Sequence, residues 1–578
     1  MTVSSGQSLT AALETLGVRC VFGLPGTQNV ALFEALRGSS IRTVLATSEL
    51  AASFMAVGYA RASGNPAVLV TIPGPGFTYA LPGLAEARLD SVPLLHLVVH
   101  QPLTPERRFR HQEIPQLEMV RPLVKEVLEV GAVGELPNLL SHAFRQTLAG
   151  EPGPVLVWIA AQALDGMNGA PGAAAPPEPH VAESSPVQRR AIEDLVRRFS
   201  GARRPILFLG LGSVGVSGQV GQLVDRVITP FFTTPSGRGV LPEDHSLCLS
   251  FDFDRGGLES LNELLDSSDL ILALGCKLSH NGTGGFKLRL GEKKLVQVNT
   301  DSAALGANYS ASALLQDRVE MVVPALLEAL GTGGAASEWT LGEIAEWRAR
   351  IASADPGYPH EPAARGMPSG TVKEVIEVLR EELPRDAIVV TDSGLHQVLV
   401  RRHFPVMAPR GLIMPTDFQS MGFGLPAAIG ASLAAPERQV VAVIGDGGLA
   451  MSGMELLTLA REMIPVTVFV FNDGYLNLIR LQQERDYGHS HCVRLHNPDM
   501  EVLSEAMGVG FFRLDEDVRA RIRDALSLGG PALVEVPLGD SPGMRSVRRK
   551  AATKAAVRSI LGEGRVGHLK GVLDRLRG

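Results

Sequence analysis

The tetrad Gly445-Asp446-Gly447-Gly448 follows an apolar run at 439–444 (QVVAVI). After a helical stretch at 454–463 and a second apolar run at 465–471 (PVTVFVF) comes the pair Asn472-Asp473. An apolar strand that ends in Gly-Asp-Gly leaves a carboxylate at its carboxyl edge, among backbone without Cβ atoms that a phosphate can approach closely. With 465–471 as a buried strand of a parallel sheet, Asn472-Asp473 returns to that same edge. Two oxygen ligands then face one ion, and the stretch reads as a place for Mg2+ and a diphosphate. A glycine-rich turn followed by an Asn-Asp turn would use the same residue types, so the remainder of the chain has to decide.

Outward from this stretch, a helical pattern at 372–383 and an apolar run at 387–392 precede it, and a run at 531–537 closes the unit. The same alternation fills the chain before it. Runs at 18–22, 43–46, 67–72, 94–99 and 155–159 read as strands separated by helices, and runs at 205–209, 270–274 and 294–299 form a second set. Strand and helix alternating over such lengths means parallel sheets with crossover helices, an α/β fold class with three α/β domains. An Ala, Gly and Pro-rich stretch at 167–186 reads as a linker, and 331–337 and 352–369 close the second unit. The expected organisation is 1–165, 187–335 and 369–540, followed by a basic tail at 541–578. Gly210-Leu-Gly212-Ser-Val-Gly215 matches a dinucleotide loop only in its glycine spacing, and a tight strand-to-helix turn explains it equally well.

The 578 residues can fill several cores, and a net charge of −7 argues against general nucleic-acid affinity. The basic tail is read as a surface helix or as an extension over a neighbouring subunit. Cys20, Cys248, Cys276 and Cys492 are scattered without metal-ligand spacing, which suits a reducing cytoplasm. Residues 1–10 have no secretion-signal pattern, and no run approaches the ~18 apolar residues of a membrane span. A cytoplasmic protein without membrane or nucleic-acid partners is expected.

Several stretches, taken in order, resemble the acetolactate synthase branch of thiamin-diphosphate enzymes, including 2-oxo acid decarboxylases. They are Val21-Phe-Gly-Leu-Pro25-Gly26, Ser48-Glu49-Leu-Ala-Ala, Gly74-Pro-Gly76, Asp90-Ser-Val-Pro93, Gln112-Glu113, Ser420-Met421-Gly-Phe-Gly and the Gly-Asp-Gly stretch itself. The resemblance implies a pyrimidine-binding domain, a middle domain and a diphosphate-binding domain, with thiamin diphosphate and Mg2+ as cofactors. It makes Glu49 the carboxylate that hydrogen-bonds N1′ of the coenzyme's aminopyrimidine and drives the imino tautomer needed to deprotonate thiazolium C2. A helix-start glutamate behind a Thr47/Ser48 cap is the bland alternative.

By the same resemblance Met421 wedges between the coenzyme rings, the backbone of Gln419 accepts from N4′, and His396 contacts the diphosphate. Leu395 stands where the family has a glutamine, so only His396 is carried over. Pro25, Gly26, Gly74, Gly76, Gly445, Gly447, Gly448 and Leu476 complete the coenzyme contacts, and Asp446, Asp473 and the Tyr475 carbonyl hold the Mg2+. Because Glu49 and the diphosphate signature lie on different domains, which the family pairs across subunits, a homo-oligomer is implied, a dimer at minimum or a tetramer.

The implied reaction is decarboxylation of a 2-oxo acid followed by transfer of the acyl carbanion to a carbonyl acceptor. Three departures bear on the outcome. Thr27 stands where synthases carry glycine, His111 precedes Gln112 where they carry phenylalanine, and Gln482 replaces a tryptophan that shapes the acceptor pocket. The first two favour simple decarboxylation to an aldehyde, with Thr27, His111 and Gln112 near the substrate; the third favours a different acceptor. FAD is not expected: Gly275-Cys-Lys277-Leu278 lacks the family's Arg-Phe, and 251–257 does not resemble its Gly-Met-His-Gly loop. A protein of this fold that only binds cofactor or partners, and a flavin-dependent oxidase, are the competing readings.

Overall fold

The computed structural model describes residues 3–101, 111–131, 135–165, 167–168, 186–250, 257–331, 337–354, 363–364, 372–515 and 517–539. Three large sheets follow one another along the chain, beside a two-stranded antiparallel pair of Val3–Ser4 with Met167–Asn168. The first runs Arg42–Leu45, Cys20–Gly23, Ala67–Thr71, Leu94–His100, Pro154–Ala160, Glu126–Val130, all parallel. The second runs Cys248–Ser250, Phe231–Thr233, Pro205–Leu209, Leu270–Leu274, Leu295–Asn299, Ala313–Gln316, again parallel. The third places Leu412–Ile413, Ile388–Thr391, Val440–Gly445, Val466–Asn472 and Ala532–Gly539 side by side, and the last of these pairs in addition with Gly510–Arg513, parallel, and with the two-residue strand Ala363–Ala364, antiparallel. The α/β class read from the sequence is what the chain forms.

Central strands such as Val466–Asn472 are buried along almost their whole length, as β-branched and aromatic runs covered by helices on both faces must be. One apolar cluster spans the first and third sheets, joining Phe54, Met55 and Phe77 to Phe423, Ile429 and Val440. Its centre is the contact between the helices Glu49–Ser63 and Gly424–Ala434, which are rich in Ala and Gly and buried almost all round. The middle sheet has its own cluster. It is tied to the third unit by Arg238, which pairs with Glu243 at 2.6 Å and donates to the Phe404 carbonyl at 2.6 Å.

Two local readings change. The helical stretch expected at 454–463 begins at Asp446: Asp446–Ser452 is helical, a 3-10 turn spans Gly453–Glu455, and Leu456–Glu462 continues it. Three glycines in eight residues mask that start, because glycine is a poor helix former by propensity. Six parallel strands, Glu126–Val130, Phe231–Thr233, Cys248–Ser250, Ala313–Gln316, Leu412–Ile413 and Gly510–Arg513, have no counterpart in the sequence reading; all but Phe231–Thr233 lie at sheet edges, and each is only two to five residues long. The glycines of the Gly210–Gly215 stretch close on backbone: a Cβ on Gly210 would stand 2.2 Å from the Gly275 carbonyl oxygen, as in a tight turn. Residues 169–185, 251–256, 332–336, 355–362, 365–371 and the tail at 541–578 lie outside the described residues.

Candidate functional site

The carboxyl ends of three neighbouring strands of the third sheet build one cleft. Ile388–Thr391 leads into Asp392-Ser393-Gly394, Val440–Gly445 into Asp446, and Val466–Asn472 into Asp473. Gly445 is in register with Phe471, so Asp446 and Asp473 leave the sheet side by side. The cleft has a cavity volume of about 130 Å3 and is lined by Ser393, His396, Met421, Asp446, Asp473 and Leu476 together with the glycines 394, 445, 447 and 448. The carboxyl edge is where open parallel sheets bind ligands.

Each carboxylate is held by groups that leave it aimed and short of positive charge. Asp446 accepts from the backbone N–H groups of Gly447 at 2.9 Å and Gly474 at 2.8 Å and from Asn497 Nδ2 at 2.6 Å. Asp473 accepts from the Tyr475 N–H at 2.9 Å and Asn477 Nδ2 at 2.7 Å. Burial raises both carboxyls; with the Asp446 charge beside it, Asp473 is pushed up to about 7. Two buried acids that repel each other, next to backbone carbonyls, are the donor set of a hard cation.

His396 is buried, and its Nε2 has no partner. Burial brings its ring down to about 4. An orphaned ring nitrogen on the wall of a cleft fits an oxyanion, and the bare glycines around it leave room: a Cβ on Gly445 would stand 3.0 Å from His396 Nδ1, and one on Gly394 2.7 Å from Cε1. Gly447 faces Leu476 and Met421, whose terminal atoms would lie 2.9 and 3.3 Å from a Cβ at that position. The residues present therefore fit a diphosphate with its metal, and Met421 and Leu476 sit together at the cleft. Leu395 points into the core of this unit.

Glu49 and its companions form a second cluster, at the carboxyl edge of the first sheet. Glu49 opens its helix behind Ser48, whose side chain accepts from the Ala51 N–H. A Cβ on Gly76 would stand 2.7 Å from Glu49 Oε1 and 2.8 Å from Ile72; one on Gly26 would meet the same isoleucine at 2.6 Å. Asn29 fixes the turn through Pro25, accepting from the Gly26 N–H at 2.7 Å and donating to the Leu24 carbonyl at 3.1 Å. Gln112, at φ +61°, lies under Gly74 and accepts from Gln28. Thr27 and His111 are exposed in neighbouring turns, and Gln482 is exposed on the Asn477–Tyr487 helix.

Within one chain these two clusters are not brought together, since every residue lining the cleft comes from 393–538. Sequence reasoning missed Asn477, Asn497, Ser393, Gln28, Gln116 and Ile72. Asn477 follows Asp473 by one helical turn, a spacing that was available. Asn497 reaches Asp446 from 51 residues away and carries no local signal.

Three family models match the chain: the thiamine pyrophosphate enzyme N-terminal TPP binding domain over residues 3–119, the central domain over 192–326 and the C-terminal TPP binding domain over 392–536. Among similar proteins, the acetolactate synthase isozyme 1 large subunit of Escherichia coli is 29% identical over 91% of this chain and 92% of its own length. The probable acetolactate synthase large subunit of Methanocaldococcus jannaschii is 28% identical, covering 94% and 93%. The chloroplastic acetolactate synthase of Arabidopsis thaliana is 31% identical, covering 91% and 80%.

Proposed function

The chain belongs to the acetolactate synthase family of thiamin-diphosphate-dependent enzymes, and from that premise we propose that it decarboxylates a 2-oxo acid and transfers the acyl carbanion to a carbonyl acceptor. The observation that carries this reading is the placing of Asp446, Asp473 and the unpartnered His396 Nε2 around one cleft at three strand ends. Residues 1–165 serve as the pyrimidine-binding domain, 187–335 as the middle domain and 369–540 as the diphosphate-binding domain.

Thiamin diphosphate held in the cleft would supply an electron sink for the loss of carbon dioxide from a 2-oxo acid. Asp446, Asp473 and the Tyr475 carbonyl hold Mg2+, whose charge relieves the repulsion between the two acids. His396 and the glycine backbone at 445, 447 and 448 take the diphosphate, and Met421 and Leu476 position the rings. Gln419 offers a carbonyl to the 4′-amino group. Glu49 would hold a proton at N1′; because Glu49 is not among the residues lining its own chain's cleft, a second copy of the chain is taken to supply it, which makes the working unit a dimer at minimum, or a tetramer. Gly74, Gly76, Pro25, Gly26 and Gln112 shape the wall that travels with Glu49, and Thr27 and His111 lie on the rim where the substrate enters.

Among the described residues no helix is long and apolar enough to cross a membrane. Four cysteines without a disulfide among the described residues suit a reducing compartment, and the cytoplasm is the proposed location. Incubation with thiamin diphosphate, Mg2+ and a panel of 2-oxo acids, with carbon dioxide and product masses measured, tests it. A carboligated product is expected. Aldehyde alone would reduce the activity to simple decarboxylation, and no coenzyme binding at all would overturn the assignment.

A further inference from the structure

Glu86 lies on the helix Pro75–Leu89 of the first unit, fully buried, and reaches across to the third. Its Oε1 accepts from the Ser420 N–H at 2.7 Å, while Oε2 has no partner. One helical turn on, Asp90 accepts from the N–H groups of Thr416 at 3.0 Å and Asp417 at 3.2 Å and pairs with Arg61 at 2.8 Å. Two acids spaced i, i+4 on one helix face thus capture three N–H groups of the loop 416–420. That loop carries Gln419 at φ +65°, a left-handed conformation that costs a residue with a Cβ about 1 kcal/mol or more. The Gln419 side chain is tied down as well, donating to the Thr416 carbonyl at 2.6 Å and accepting from Ser393 Oγ at 3.2 Å.

The Ser420 N–H and the Gln419 C=O are the two ends of one peptide unit. The described chain has no cis peptide bond, so in this planar trans unit the two groups point in opposite directions. Anchoring the N–H therefore aims the C=O. A carboxylate on the N–H end also polarises the peptide and makes its oxygen a better acceptor, as successive hydrogen bonds in a chain reinforce one another.

We infer that Glu86 is a positioning residue for the coenzyme: by holding the Ser420 N–H across the domain boundary, it aims and strengthens the Gln419 carbonyl that receives the 4′-amino group. The inference rests on the reading of Gln419 given above. An apolar residue at this position would leave the part-buried Ser420 N–H unpaired. Burial, then the neighbouring Asp90 charge, push the Glu86 carboxyl up to about 7, against the Ser420 groups and Arg61.

The test uses the full chain, with Glu86→Leu and Glu86→Gln. Amide hydrogen exchange in the protein without coenzyme should show the peptide containing Ser420 exchanging faster in Glu86→Leu. With thiamin diphosphate and Mg2+ bound and no substrate, exchange of the coenzyme C2 proton into deuterium oxide, followed by NMR, should slow about tenfold in Glu86→Leu, and by a smaller factor in Glu86→Gln, which keeps an acceptor oxygen without its charge. If Glu86→Leu does not fold, Glu86→Gln decides alone, and a C2 exchange rate equal to wild type overturns the inference. Failure of the wild-type protein to bind the coenzyme by calorimetry overturns the functional reading and this inference with it, whereas normal wild-type binding and exchange with an unaffected variant overturns only the role of Glu86.

Discussion

Gly430 lies against Met55 with no space for a methyl group: a Cβ on Gly430 would stand 1.8 Å from the Met55 carbonyl oxygen. The reciprocal contact is as close, with a Cβ on Gly58 2.0 Å from the Ala427 carbonyl oxygen. The two helices that join the first and third units therefore touch backbone to backbone, and this contact sets how the two units of one chain pack together.

Gly430→Ala should push these helices apart. Neither partner atom is a flexible side-chain end, so the strain falls on backbone, and a loss of about 1–3 kcal/mol or more is expected. A lowered urea midpoint together with weaker coenzyme binding would agree with this; an unchanged midpoint would show that the helices can slide at no cost.

Glu49→Gln removes the carboxyl without disturbing the Ser48 cap, which uses a different side chain. Far-ultraviolet circular dichroism should be unchanged and turnover should drop by about 10²–10⁴-fold, the usual range for a positioned acid-base group. Undiminished turnover would remove Glu49 from the mechanism.

Metal and coenzyme should stabilise the protein together. At free ligand 100-fold above Kd the gain is about 2.7 kcal/mol, visible as a rise in Tm that EDTA reverses. Asp446→Ala should abolish that rise, because Asp473 alone cannot hold the ion. A full rise in Asp446→Ala would place the metal elsewhere.

His96 offers a pH test away from the cleft. It is fully buried, 2.9 Å from Thr71 Oγ1 and stacked on Phe77, and burial brings its ring down from 6.5 to about 3. A base with a depressed folded pKa contributes stability that is complete above the unfolded pKa and is lost as pH falls towards the folded one. Between pH 7 and pH 4.5 the wild type should lose about 2–3 kcal/mol more than His96→Gln, which cannot titrate. Denaturant midpoints at the two pH values read this difference, and parallel acid limbs would contradict it.

Thr27→Gly tests the substrate rim. Thr27 is exposed in the turn that follows the strand Cys20–Gly23. If its hydroxyl favours release of aldehyde, its removal should raise the share of carboligated product, and an unchanged product ratio would separate Thr27 from that choice.

Strands whose side chains are buried on both faces announce themselves as unbroken apolar runs, and the residues that such runs deliver to a sheet edge were legible with them: Asp446 and Asp473 each follow a strand directly, and His396 lies in the first turn of the helix after one. The edge strand Glu126–Val130 (EVLEV) hid because its exposed positions carry charge, and the helix at Asp446 hid behind its glycines.

The sequence alone determined which residues stand at the strand ends, because strand, turn and helix propensities act over a few neighbouring residues. Only the tertiary structure decided what those residues meet. Asn497 closing on Asp446, and Glu86 on Ser420 across 334 positions of chain, depend on sheet order and on two helices close enough for glycine only. A hydrogen bond is decided within a few tenths of an ångström, and no local pattern carries that distance.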